Sequence, residues 1–260
     1  ALSWVDSGAP FGDEYDLPAA EKYAEGWTIG QPDLVFELPE EVTVPADGVV
    51  PYQYYTVPTN FEKDVLVQAA EARPGNRAVV HHIIVFYRMP ERDTDKDDRR
   101  NRGRNDNLRA QGHICGTAPG DPPTVLPPGV ALRIPAGAEL VFQMHYTPTG
   151  KEEKDRSQVG FVLYEGDSPP TGYARTKGIM NFKFEIPAGA PSHPVESSFT
   201  FREDVKLLSL MPHMHLRGKD FLYRATFPDG TSEVLLSIPR YDFNWQNSYR
   251  FAAPRPVPAG

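Results

Sequence analysis

The chain has 260 residues, of which 40% are hydrophobic and 24% charged, a composition typical of a folded globular protein. Its net charge of −8 at pH 7 argues against binding to nucleic acids or anionic membranes, since both need a basic surface. No run approaches the ~20 apolar residues of a membrane span, and the single cysteine, Cys115, excludes an intrachain disulfide.

The sequence predicts an all-β protein. Its 27 prolines and 21 glycines are typical of many short strands joined by turns and argue against long helices. Residues 1–34 are mixed in character, and we expect a leader or linker with a short helix around 19–27. From there on, alternating runs and turns predict two tandem jelly-roll-like antiparallel β-sandwich domains, at 35–165 and 173–260, joined by a linker at 165–172.

A short motif recurs in front of the predicted strands. It appears as VPADG at 44–48, as IPAGA at 134–138 and 186–190, and as VPAG at 257–260. The first three copies precede a strand-like run, whereas the fourth is followed by nothing. We therefore expect the second domain to be incomplete, with a strand edge that further domains or chains would cover.

The segment 91–107 carries six acidic and six basic residues. A nucleic-acid surface would need an excess of positive charge, so this balance predicts a solvated loop.

Two histidine motifs fall in the predicted first domain. His81 and His82 are adjacent in the apolar run AVVHHIIVFY. Neighbours on a regular strand face opposite ways, so they can share a metal only if a bulge or strong twist turns one of them, and a core role stays open. In LVFQMHYTP, strand alternation places Gln143 and His145 together on the more polar face, where a hydrogen-bonded structural histidine is the alternative to a ligand.

A third motif, MPHMHLRG at 211–218, contains His213 and His215. On an extended strand, residues i and i+2 share a face about 6.6 Å apart. Both imidazoles can then lean onto one ion through bonds of roughly 2 Å. The alternative is that both lie on a solvated strand face.

The remaining histidines and the cysteine indicate no further site. His113 follows the charged segment in a glycine-rich stretch and is predicted to be a loop histidine, while His193 is predicted to be exposed. Cys115 has no histidine or cysteine at metal-finger spacing, which predicts a buried, inert thiol. The sequence has no nucleophile elbow, phosphate-binding loop or dinucleotide fingerprint.

Together, the order HH, then Q-x-H-Y, then H-x-H resembles the copper type II, ascorbate-dependent monooxygenases, the family of peptidylglycine α-hydroxylating monooxygenase and dopamine β-monooxygenase. The resemblance covers roughly residues 30–260, and its matching stretches are VVHHIIVF, APGDPPTVLPPGVALRIPAGAELVFQMHY and HMHLRGKDFLYR.

The resemblance implies two jelly-roll domains that each present one copper ion to a shared, solvent-filled cleft. The electron-transferring site would consist of three residues of the first domain: His81, His82 and His145. The oxygen-binding site would include His213 and His215, and Gln143 matches a glutamine that is discussed as part of the electron path. The reaction implied is hydroxylation of a C–H bond of a small-molecule or peptide substrate by dioxygen, with ascorbate or another reductant. The resemblance also implies that the nearest family members are bacterial proteins outside the cytoplasm, either periplasmic or secreted.

The sequence departs from the family pattern in one copper ligand. The family completes the oxygen-binding site with a methionine from a later strand, and no methionine follows Met214 here. Met211 lies on the same predicted strand face as His213 and is a weak candidate for the missing methionine ligand. Met211 also stands where peptide-hydroxylating members carry a substrate-binding arginine, which disfavours a peptidylglycine substrate. The rival hypotheses are a non-enzymatic copper-binding protein, an interaction module with relict metal sites and a zinc hydrolase.

Overall fold

The computed structural model describes residues 2–17, 26–90, 112–117, 122–166, 168–243 and 245–260. The predicted helix around 19–27 lies mostly, and the charged segment 91–107 wholly, outside these residues. Within them, helix is confined to α1 (Leu2–Asp6) and a 3-10 turn (Glu14–Asp16).

The described residues otherwise form short strands, as the proline and glycine content predicts. In chain order these are β1 (Leu34–Glu37), β2 (Val42–Val44), β3 (Gln53–Pro58), β4 (Val65–Arg73), β5 (Val80–Arg88), β6 (Gly112–Thr117), β7 (Thr124–Val125), β8 (Val130–Ile134), β9 (Glu139–Tyr146), β10 (Glu153–Asp155), β11 (Gln158–Leu163), β12 (Gly172–Tyr173), β13 (Val205–Leu210), β14 (Phe221–Thr226), β15 (Ser232–Ile238) and β16 (Tyr249–Val257).

Two sheets enclose the hydrophobic core. One has the strand order β1-β11-β4-β8-β12, with β7 also paired to β4, and the other has the order β3-β9-β5-β6. Pairing is antiparallel except between β12 and β8. Phe161 of the first sheet and Phe142 of the second are both 0% exposed and belong to one buried cluster. The predicted all-β, antiparallel sandwich is therefore confirmed.

The strands that carry the first histidine motifs are anchored by a buried carboxylate. Asp155 is 2% exposed. It accepts hydrogen bonds from the Tyr146 hydroxyl (2.9 Å), the Ser157 hydroxyl (2.8 Å) and the backbone N–H of Asn76 (2.8 Å). Burying a carboxylate without such donors is costly, so these bonds fix the end of β9 against the turn that leads into β5.

The strands from β13 onward form two small sheets, β13-β16 and β14-β15. Among the described residues, the buried apolar side chains beyond residue 161 are those of Pro212 and Val257. Most of the larger apolar side chains of these two sheets are only partly buried. The division into domains at 35–165 and 173–260 stays a prediction.

One strand expected from the recurring motif is missing. The copy at 186–190 is followed by no strand before Val205, although the copies at 44–48 and 134–138 precede β3 and β9. Pro191 and Pro194 cannot donate to a ladder. In place of ladder pairing, the Ser197 hydroxyl donates to the backbone oxygen of Met180 at 3.1 Å.

Candidate metal centre

The first histidine group forms where β5 and β9 pair. His82 stands directly opposite His145, and the register shifts between Val80 and His82, so that His81 has no partner on β9. This irregularity is the bulge that the sequence requires if neighbouring histidines are to turn toward one another. It brings His81, His82 and His145 together.

The three imidazoles are close enough to share one ion. Their ring centroids lie 5.5 Å (His81–His82), 5.0 Å (His81–His145) and 4.8 Å (His82–His145) apart. One nitrogen from each ring lies within 4.8 Å of the other two. The Nδ1 atoms of His81 and His82 are 3.2 Å apart, close to the roughly 3.3 Å expected between two tetrahedral ligands with bonds of 2.0–2.1 Å. This group could hold a metal ion.

A buried atom without a partner supports that assignment. The Nδ1 atom of His145 is buried and makes no hydrogen bond. Such an atom normally costs free energy unless it is satisfied, and a metal bound by the cluster would satisfy it.

The environment favours neutral imidazole, the form that binds metals. Burial lowers the pKa of His82 to about 4, and repulsion from His145, His81 and His213 acts in the same direction. Burial also lowers the pKa of His145, with a further contribution from His81. The contribution of His213 means that the third histidine motif lies within electrostatic range of His82.

Tyr52 lines this cluster and Tyr54 contacts the neighbouring Gln143, and neither tyrosine was predicted from the sequence. The Tyr52 ring stacks on His145 with centroids 4.8 Å apart and lies 5.5 Å from His82. The Gln143 amide nitrogen donates to the Tyr54 hydroxyl at 2.7 Å, because Tyr54 on β3 pairs with Gln143 on β9. Gln143 and His145 share the less buried face of β9, as predicted.

The third histidine motif is placed differently from the prediction. β13 ends at Leu210, so His213 and His215 do not lie on a strand. Pro212 has no backbone N–H to continue the ladder with β16. The two rings nevertheless lie 5.1 Å apart, nearly perpendicular at 87°, and both side chains are exposed.

Met211, the weaker candidate ligand, is 47% exposed. Its backbone oxygen accepts a hydrogen bond from the Tyr223 hydroxyl at 2.9 Å. Among the described residues, only the first cluster brings three histidine, cysteine or carboxylate side chains together. Among the described residues, no histidine, cysteine or carboxylate side chain therefore supplies a third ligand to a site at His213 and His215.

Polar residues from the segment before β16 hold the third histidine motif. The Nδ1 atom of His213 lies 2.6 Å from the Gln246 side-chain oxygen. The Tyr241 hydroxyl accepts from the Met214 backbone N–H at 2.9 Å and donates to the Met214 backbone oxygen at 2.7 Å. The sequence did not point to Gln246 or Tyr241, because neither lies in a recognisable motif.

The other predicted residues lie apart from both groups. His113 is in β6, not in a loop, since β5 offers it a pairing partner in Phe86. The two rings meet edge-on at 5.7 Å, and burial lowers the pKa of His113 to about 4. Cys115 is 0% exposed, and burial raises the pKa of its thiol, so the buried thiol is confirmed. His193 is exposed, as predicted.

None of the helices in the described residues has the length and apolar character that crossing a bilayer requires. Neither a scan against protein-family models nor a search of curated proteins finds a match to this chain.

Proposed function

We propose that this chain is a copper-dependent monooxygenase that hydroxylates a C–H bond with dioxygen and an external reductant such as ascorbate. The observation that carries the proposal is the cluster of His81, His82 and His145. It consists of the three residues that the family resemblance assigns to the electron-transferring copper.

The donor atoms fit copper. Three neutral imidazoles suit copper, zinc, nickel and iron, and the preference for copper comes from the sequence resemblance. When bound, copper supplies one-electron chemistry and activation of dioxygen. The chain contributes the ligand positions, and Tyr52 covers one side of His145. Gln143, hydrogen-bonded to Tyr54, would lie beside the electron path.

His213 and His215 are the proposed ligands of the second copper, where dioxygen and substrate would meet. Their exposure leaves them accessible to small molecules. The electrostatic effect of His213 on His82 supports an arrangement in which both copper sites face a common space. The substrate would be a small molecule or a peptide, and Met211 would be the additional ligand of this site.

One observation favours a non-enzymatic alternative. His213 and His215 have no third histidine, cysteine or carboxylate beside them among the described residues. A protein that binds one copper firmly and has lost the second site would be a copper-binding or interaction module.

Metal titration tests the sites. We expect wild-type protein to bind two copper ions, His82→Ala to lose the first and His213→Ala to lose the second. His193→Ala is the matched control, because His193 is exposed and belongs to neither group. Parallel titrations with zinc and nickel measure the preference for copper. Loss of both ions, or of neither, in each single variant would contradict two separate sites.

Oxygen uptake tests the reaction. We expect the copper-loaded protein to consume dioxygen with ascorbate in the presence of a panel of C–H substrates and to release hydroxylated product. Copper binding at the first site without product formation would favour the non-enzymatic alternative.

The proposed location is extracytoplasmic, in the periplasm or medium of a bacterium, and it rests on the resemblance alone. Fractionation of cells that express the native gene, with detection of this chain, tests it. Recovery from the cytoplasm would contradict it.

A further inference from the structure

The side-chain amide of Gln246 lies between two partners whose chemistry fixes its orientation. Its nitrogen donates to the backbone oxygen of Phe243 at 2.7 Å. Its oxygen lies 2.6 Å from the Nδ1 atom of His213. Turning the amide over would place its oxygen against the Phe243 oxygen, two acceptors without a proton between them. The amide therefore presents an acceptor to His213.

An acceptor at that position determines which nitrogen of His213 carries the proton. A neutral imidazole has one N–H donor and one lone-pair acceptor, and the hydrogen bond at one nitrogen selects the tautomer. Because Gln246 accepts, Nδ1 must donate. The lone pair of His213 then lies on Nε2, where it is free to bind a metal.

We propose that Gln246 is a positioning residue that holds His213 as the Nδ1–H tautomer and so makes Nε2 its metal-binding atom. The inference rests on the proposed function for its consequence in copper binding, but the tautomer itself is a property of the metal-free chain. Residues that hydrogen-bond the distal nitrogen of a metal-binding histidine orient the ring and tune its affinity.

The backbone around His213 is already held, which leaves the ring as the part that Gln246 controls. The Tyr241 hydroxyl bonds both the N–H and the oxygen of Met214, the residue between the two histidines. A Cβ at Gly218 would lie 2.6 Å from the Tyr241 ring, so the turn after His215 also packs closely against this tyrosine. Tyr241 thus sets where the motif lies, and Gln246 sets which nitrogen His213 offers.

The test reads the tautomer directly in metal-free protein. Long-range proton–nitrogen correlation on ¹⁵N-histidine-labelled protein at pH 8.5, where histidine is ordinarily neutral, separates the two tautomers. The His213 signals are identified by their loss in His213→Ala. We expect the Nδ1–H form in wild type and a shift toward the Nε2–H form in Gln246→Met. Gln143→Met, at the other histidine group, is the matched control and should leave His213 unchanged.

A wild-type Nε2–H tautomer would overturn the proposal, and this result needs no variant to fold. Equal spectra for wild type and Gln246→Met would also overturn it. With copper, we expect Gln246→Met to bind the second ion about 10-fold more weakly and the first ion as wild type does. Absence of a second copper from wild type would instead overturn the proposed function, while the tautomer would still decide the role of Gln246.

Discussion

The half-buried histidine of β6 makes the stability of this protein depend on pH. His113 contacts Phe86, and burial lowers its pKa from 6.5 to about 4. Above pH 6.5 the imidazole is neutral in both the folded and the unfolded chain, so it adds no pH dependence. As the pH falls from 6.5 toward 4, the unfolded chain binds a proton at His113 that the folded chain does not. Folding is therefore destabilised across that interval.

The magnitude follows from the two pKa values. One unit between them is worth about 1.36 kcal/mol, so the interval from 6.5 to about 4 amounts to ~3 kcal/mol when the pH is below both values. At pH 4.5 the linkage relation gives ~2.5 kcal/mol of this loss. Part of the His113 surface remains accessible, so these are upper values.

The perturbation is His113→Phe, which keeps an aromatic ring in β6 but cannot bind a proton. Urea unfolding of wild type and variant at pH 7.5 and 4.5 gives four free energies of unfolding. The difference between the proteins at pH 7.5 reports packing. The change in that difference at pH 4.5 isolates the free energy of protonating His113. The contribution of His82 is the same in both proteins and cancels.

We expect wild type to lose ~2.5 kcal/mol more than the variant between the two pH values. Equal losses in the two proteins would refute the reasoning, because they would mean that folded His113 takes up its proton as readily as the unfolded chain does.

Three further predictions concern the core and the turn between β4 and β5. Asp155→Ala should lower the free energy of unfolding by about 3 kcal/mol or more, measured by denaturant titration, because it leaves buried donors without their acceptor. A loss below 1 kcal/mol would show that water replaces the carboxylate. Gly75→Ala should cost about 1–3 kcal/mol, since its Cβ would lie 2.6 Å from the backbone oxygen of Arg156, and an unchanged thermal midpoint would contradict that clash. Cys115 should react with a thiol reagent only after unfolding in urea, because burial raises its pKa and closes it to solvent; labelling of the native protein at the rate of a free thiol would contradict this.

Local sequence patterns determined the class of fold and which faces of β9 are buried. The proline and glycine content predicted short strands, and alternation along 140–146 predicted that Gln143 and His145 share the more polar face, where both are less buried than Phe142 and Met144. The prediction for β9 holds because side-chain direction on a strand follows from the two-residue repeat of the backbone, whatever the partner strand. The prediction that His213 and His215 lie on a strand was wrong, because Pro212 interrupts the ladder and β13 ends at Leu210.

Only the tertiary structure decided how the histidines meet. His81 turns toward His82 because β5 loses register with β9 at that point, and the position of a bulge depends on the pairing of two strands rather than on either one. The contacts of Tyr52 with His145 and of Gln246 with His213 likewise join segments far apart in the chain. A local motif specifies which donor atoms are present. Their distances, their burial and the choice of protonated nitrogen depend on neighbours that strand register and loop packing bring together, and those are properties of the whole fold.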